Sequence, residues 1–290
     1  VFTKNEEIVH IDKLPKKIFA HIASTFISRD ILLNNNINFE VGRKYGEDLA
    51  LAVRIVEVEK TFALINNIYY NYRARNSADS AMDSSRSDPL TYIPNADMML
   101  DLINKYKDDN GKIDRWLQML IMYDLGWKIK RENLPFLGTE EWYKKYLDRV
   151  TSILHFIDDS IIDAQGHLKW IQKEAIKWIK YSGKWPDYTD NIGNAIVKNN
   201  DVELFNGNKS YLLSKLVGKI FVAKYRPETD CLDFLIVIEH LWGSGKLSLS
   251  ASDGEKQFQG KIVAEPARQK MISIPIHGAV TYEFHIPLTE

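Results

Sequence analysis

The sequence predicts a multidomain α+β chain, and three changes of periodicity carry that prediction. Residues 1–88 alternate short strand-like and helix-like pieces, residues 89–210 repeat apolar side chains at helical spacing, and residues 211–290 alternate with the two-residue period of strands. With 290 residues and 45% apolar content, the chain has material for about two domains with cores of their own.

The first region comprises "STFIS", "RDILLNNNI", "EDLALAVRIVEVE", "TFALI" and "IYYNYRA", an α/β rhythm with a helix over 48–59 and a strand ending near residue 74. The polar stretch "RNSADSAMDSSRSDP" (75–89) holds five serines and a closing proline, and reads as a loop or boundary. In the second region, Trp142, Tyr146, Leu147, Val150, Leu154 and Ile157 recur at helical spacing behind Thr139, a capping residue, and the first-turn acids Glu140 and Glu141. "KIDRWLQMLIMYDLGWKIK" (112–130) is apolar on most sides and is expected inside the bundle; "HLKWIQKEAIKWIKY" (167–181) is more one-sided. The third region holds "KIFVAKY", "FLIVIEHLW", "KLSLSAS", "KQFQGKIVAE", "MISIPI" and "TYEFHIPL", with a hairpin signal at Asp253 and Gly254. This predicts an immunoglobulin-like antiparallel β-sandwich, incomplete at residue 290. Val1 stands where an initiator methionine would, so the sequence reads as a piece of a longer protein.

Charge and composition narrow the function classes. Lysine plus arginine total 38 against 39 for aspartate plus glutamate, which gives no overall field toward nucleic acid or an anionic membrane. No stretch reaches 18 uninterrupted apolar residues, and the first residues do not form a signal peptide. The single cysteine, Cys231, excludes an internal disulfide framework and a thiolate zinc site, and a reducing cytoplasmic setting fits best.

Two constellations could carry chemistry. Glu47 and Asp48 follow Gly46 and open an apolar helical run; the plainer explanation is capping, because unpaired amides and the helix dipole favour acids there. Tyr72, Arg73, Arg75 and Ser77 lie where a predicted strand meets the polar loop, and guanidinium forks beside a hydroxyl suit phosphate oxygens. The plainer explanation there is a solvated strand end.

Taken together, "TFISRDILLNNNINFEVGRKYGEDLALAVRI" and "TFALINNIYYNYRARNSADS" resemble the C-terminal half of the catalytic domain in family 2 glycosyltransferases of the GT-A fold. The matching pieces are Arg29, Asn36 to Phe39, Gly46 to Asp48, and Tyr70 to Ser77, within about a quarter of the chain. The order of parts, with catalytic remnant (1–88), helical domain (89–210) and sandwich (211–290), also resembles bacterial wall-teichoic-acid and capsule glycosyltransferases.

The resemblance implies an inverting transfer in which an acceptor hydroxyl attacks the anomeric carbon of a UDP-sugar. Asp48 would accept the hydroxyl proton, an effect of about 10²–10⁴ in rate, and Glu47 would orient the acceptor or the base. Tyr72, Arg73, Arg75 and Ser77 would bind the donor diphosphate on a closing loop. The intact enzyme would also use a divalent metal, manganese or magnesium, held by an Asp-x-Asp motif. Neither Asp108–Asp109 nor Asp158–Asp159 matches that motif in context, and no glycine-rich phosphate loop is found, so no metal ligand is assigned here. The expectation is that this chain lacks the nucleotide-binding half and does not catalyse transfer alone.

The implied partners are a nucleotide sugar and an anionic or glycan polymer such as teichoic acid or capsule, with no nucleic acid. Peripheral association with the inner membrane face and homo-oligomerisation stay open. Competing functions are a non-catalytic glycan-binding or oligomerisation module, and part of a bifunctional polyol-phosphate polymerase.

Of the tryptophans, Trp116, Trp127, Trp142, Trp170, Trp178 and Trp185 fall at helical spacing that favours core packing, with Trp178, Trp185 and Tyr188 the best candidates for an exposed sugar platform. The histidines show no zinc-enzyme spacing. Lys16, Lys17, Arg43 and Lys44 could dock a phosphate-rich polymer, although such residues are more often only solvated.

Overall fold

A computed structural model of the chain describes residues 6–66, 68–71, 85, 88–134, 136, 138–186, 194–198, 201–206, 209–212, 218–241, 249–252, 254–264 and 269–288. The fold mixes helices and strands. It divides into two compact units, Val1–Lys130 with Leu134–Lys169, and Arg131–Asn133 with Trp170–Glu290.

In the first unit, β1 (Glu6–His10) pairs antiparallel with β2 (Thr61–Ile65), Ile8 lying opposite Ala63. Between them stand α1 (Arg29–Asn34) and α2 (Glu47–Glu59). Helix α2 forms where the heptad-like run after Asp48 buries Leu49 to Val53, Ile55 and Val56. It stops at Lys60, whose left-handed φ of 54° turns the chain directly into β2. Leu51 and Ile55 pack on Ile37, with Ile22, Ile27, Ile31 and Leu32 around them. The "STFIS" segment is not a strand: Ile22–Ser24 is a 3₁₀ turn, Thr25 donates back to His21 and Ile22, and no described strand pairs with residues 25–28. The periodicity also missed β1, whose "EEIVH" is short and half polar.

The helices α3 (Ile93–Tyr106), α4 (Arg115–Ile129), α5 (Glu140–Leu154) and α6 (Asp159–Asp163) follow. Helix α4 is buried on almost every side, as its all-round apolar sequence requires. Helix α5 starts where Thr139 Oγ1 accepts from the Trp142 amide at 3.2 Å, and it turns Tyr146, Val150, Ile153 and Leu154 inward. Tyr92 meets Phe136, Trp142 and Tyr146 edge to face, with ring centroids 5.6 to 5.7 Å apart.

The second unit opens with α7 (Trp170–Ser182) and continues as strands. The helical region ends there, not at residue 210: β3 (Asn194–Lys198), β4 (Asp201–Asn206) and β5 (Lys209–Leu212) form an antiparallel meander. Its signals were the Asn-Asn and Gly-Asn pairs between short alternating runs. A five-stranded antiparallel sheet places β10 (Lys261–Ala264), β12 (Ile274–Pro287), β7 (Cys231–Leu241) and β6 (Gly218–Arg226) in that order, with β11 (Gln269–Met271) also on β12. "MISIPI" is broken at Ile272 and Ser273, both at positive φ, whose amides donate to Arg131 and Glu132 carbonyls. The β8 (Ser250–Ser252) and β9 (Gln257–Gln259) hairpin carries Gly254 at φ 105° in its turn, where the sequence placed one. Tyr282 and Phe284 form the local core with Phe234, Ile236, Leu249, Ala251, Phe258 and Ile286. Among the described residues no sheet closes into a barrel, and no helix is long and apolar enough to cross a membrane.

Candidate functional site

The acidic start of α2 is set by the residue before it. Gly46 is the N-cap, at φ 79°, a left-handed conformation that side-chain-bearing residues rarely adopt. A Cβ there would stand 2.7 Å from Asn95 Oδ1 and 2.8 Å from Met98 Cε, so glycine is needed for both conformation and space. Its carbonyl accepts from the Ala50 amide at 3.0 Å, the first rung of the helix.

Glu47 and Asp48 occupy the first turn, each half-buried. Gly46, not Asp48, is the N-cap, and both acids stand in the first turn, where the helix dipole favours negative charge as the plainer reading expects. Neither carboxylate makes a hydrogen bond or ion pair with any described residue, whereas Glu40 and Asp88 are both engaged. Glu40 accepts from Arg43 and Arg54, and Arg54 also donates to the Asn38 carbonyl at 3.0 Å. Asp88 Oδ2 accepts from Lys44 Nζ at 2.8 Å and Tyr45 Oη at 3.0 Å, while Oδ1 accepts from the Leu90 amide at 2.9 Å. The Lys44 ammonium holds the Asp88 carboxyl below the usual carboxylate range, and Asp88 in turn raises Lys44.

This clamp has a consequence for topology. It ties residues 44 and 45, immediately before Gly46, to the end of the span that carries the predicted phosphate-binding side chains. Tyr72, Arg73, Arg75 and Ser77 themselves lie outside the described residues. Their flanks are described: Tyr69 and Tyr70 are exposed on one side, and buried Ser85 accepts from Thr91 Oγ1 at 2.8 Å on the other.

The other motif residues have plain placements. Arg29 is exposed at the start of α1, Ile37 is buried, Phe39 is exposed, and Asn36 sits at φ 50°. Three of the four basic residues considered for polymer docking already have carboxylate partners: Lys17 with Glu7, Arg43 with Glu40 and Lys44 with Asp88. Trp178 is buried, so it is no sugar platform; helical spacing turns its indole inward on α7. Tyr188 lies outside the described residues. Asp108 serves a turn, accepting from the Asn110 and Lys112 amides, and Asp158 pairs with Arg115. Among the described residues no three His, Cys, Asp or Glu side chains gather as a metal would require.

Sequence reasoning missed a polar chain behind Gly46. Asn95, in the first turn of α3, donates from Nδ2 to Asp124 Oδ2 at 3.3 Å, and Lys128 pairs with that same oxygen. The signal was present: Asp124 and Lys128 are opposite charges four residues apart in a largely apolar helix.

No family model matches the chain. It is 31% identical over 163 residues to the minor teichoic acid biosynthesis protein GgaB of Bacillus subtilis (strain 168). That alignment takes in 53% of this chain and 17% of the relative, so the chain spans a small part of the protein it matches.

Proposed function

We propose that this chain is part of an inverting glycosyltransferase that moves a sugar from a nucleotide-sugar donor to a cell-surface polymer such as teichoic acid. The observation that carries the proposal is the pair of half-buried carboxylates on the first turn of α2 without a partner among the described residues, in a chain similar to a teichoic acid biosynthesis protein. The Asp88 clamp, which returns the end of the arginine-bearing span to the same helix start, supports it.

A hydroxyl is a poor nucleophile until its proton is taken. Asp48 is the residue proposed to accept that proton as the acceptor oxygen bonds to the anomeric carbon and the bond to the diphosphate breaks. Glu47, one residue away, would hold the acceptor or the base in line. Charge gathered on the departing diphosphate would be met by Arg73, Arg75 and Ser77, with Tyr72 beside them.

The exposed apolar side chains of the first 71 residues, with Phe26 at 93% and Val41 at 104% exposure, favour the segment's being one portion of a larger catalytic domain. The test is Asp48→Asn in the full-length protein. Transfer from a UDP-sugar to polymer acceptor should fall by about 10²–10⁴ while donor binding and the melting temperature hold; unchanged turnover removes Asp48 from this role.

A further inference from the structure

We propose that Asn95 is a positioning residue for the acidic start of α2; this rests on Asp48 acting as proposed above. Asn95 is only 2% exposed. Its Nδ2 faces Asp124 Oδ2, which Lys128 also holds. A carboxylate accepts and does not donate, so the amide has one sensible orientation, with Oδ1 directed away from Asp124. That buried oxygen has no hydrogen-bond partner among the described residues. An acceptor stripped of water and left without a donor is costly, and its retention asks for a reason.

The reason suggested by the geometry is Gly46. The Cβ direction of Gly46 points at Asn95 Oδ1, at 2.7 Å for a carbon in that place. In glycine only a hydrogen lies on that side, which permits a closer approach of α2 to α3 than a side chain would. Gly46 is the cap whose backbone aims the next two residues, Glu47 and Asp48. The chain of fixation thus runs from the α4 ion pair to the α3 amide, then to the bare Cα of Gly46, and from there to the proposed base. Misplacing a base by about 1 Å costs on the order of 10² in rate, so such bracing would be felt in turnover.

The test uses Asn95→Leu in the full-length protein, which keeps the volume and removes the amide. We expect kcat to fall about 10- to 100-fold with an unchanged KM for the UDP-sugar. Deuterium exchange at the Ala50 amide, the first rung of α2, should quicken roughly tenfold while the α4 amides keep their protection. If the leucine variant does not fold, Asn95→Ser takes its place. Unchanged kcat overturns the proposal, and faster exchange without a fall in kcat does so too, since it leaves Asn95 merely structural. Asp48→Asn, measured alongside, separates the claims. Loss of turnover there with normal turnover in Asn95→Leu removes only the positioning role. Normal turnover in Asp48→Asn removes the base itself.

Discussion

The helices of residues 93–163 and the segment of residues 6–71 belong to one compact unit and treat apolar surface in opposite ways. Helix α4 hides nearly all of its side chains, and the helices around it close over Trp116, Leu117, Leu120 and Ile121. The earlier segment leaves Phe26, Leu33, Phe39, Val41, Tyr69 and Tyr70 in solvent, although it has a small core of its own around Ile37, Leu51 and Ile55. The difference teaches where stability and chemistry are divided. The helices bury most of their apolar area, whereas the segment that carries Glu47 and Asp48 leaves these apolar side chains exposed and available for contact.

The strongest way to break that comparison is to cut into each side. Leu120→Ala in α4 should cost about 2–5 kcal/mol, read as a lower midpoint in denaturant unfolding. Phe26→Ser should change the stability of this chain by no more than about 0.5 kcal/mol, because no burial is lost. Equal losses at both positions would erase the contrast.

A smaller effect is expected at the junction between the two regions. Gly46→Ala places a Cβ against Asn95 and Met98 in a left-handed conformation, and should cost about 1–2 kcal/mol by the same unfolding measurement. A neutral result would mean that α2 can retreat from α3 freely, and the site would then not be braced by the helices.

The smallest expected effect is in pH. The Asp88 carboxyl is depressed in the folded chain, chiefly by its hydrogen bond from Lys44, so its contribution is present above the ordinary carboxylate pKa and is lost as pH falls through the lowered value. His285, raised mainly by Asp233, has the opposite sign: its contribution is full below about pH 6.5 and fades as pH rises through the raised value. Both are surface pairs, so a chemical-shift titration is a better probe than unfolding, and loss of the two shifts in high salt would confirm their exposed, screened character.

Much of this architecture was legible because it is periodic. The cap at Thr139, the all-round burial of α4, the extent of α2 and the long strands β6 and β7 all follow from patterns within a few residues. Failures came where a pattern was short or interrupted: β1 with its two acids, the meander at 194–212, and the break at Ile272 and Ser273, which exists because two amides reach Arg131 and Glu132. The site was half legible. Glu47 and Asp48 stood out beside a glycine, but the Lys44–Tyr45–Asp88 clamp spans more than 40 residues, and Asn95 is a single polar residue without local signature.

The sequence by itself determined the helical and strand periods and the placement of an acid pair behind a glycine at a helix start. The tertiary structure decided that those acids have no described partner, that Asp88 returns to Lys44 and Tyr45, and that Asn95 stands against Gly46. Periodic burial is written in neighbouring residues, whereas a contact between distant ones exists only after the chain has folded and leaves no repeating trace in its order.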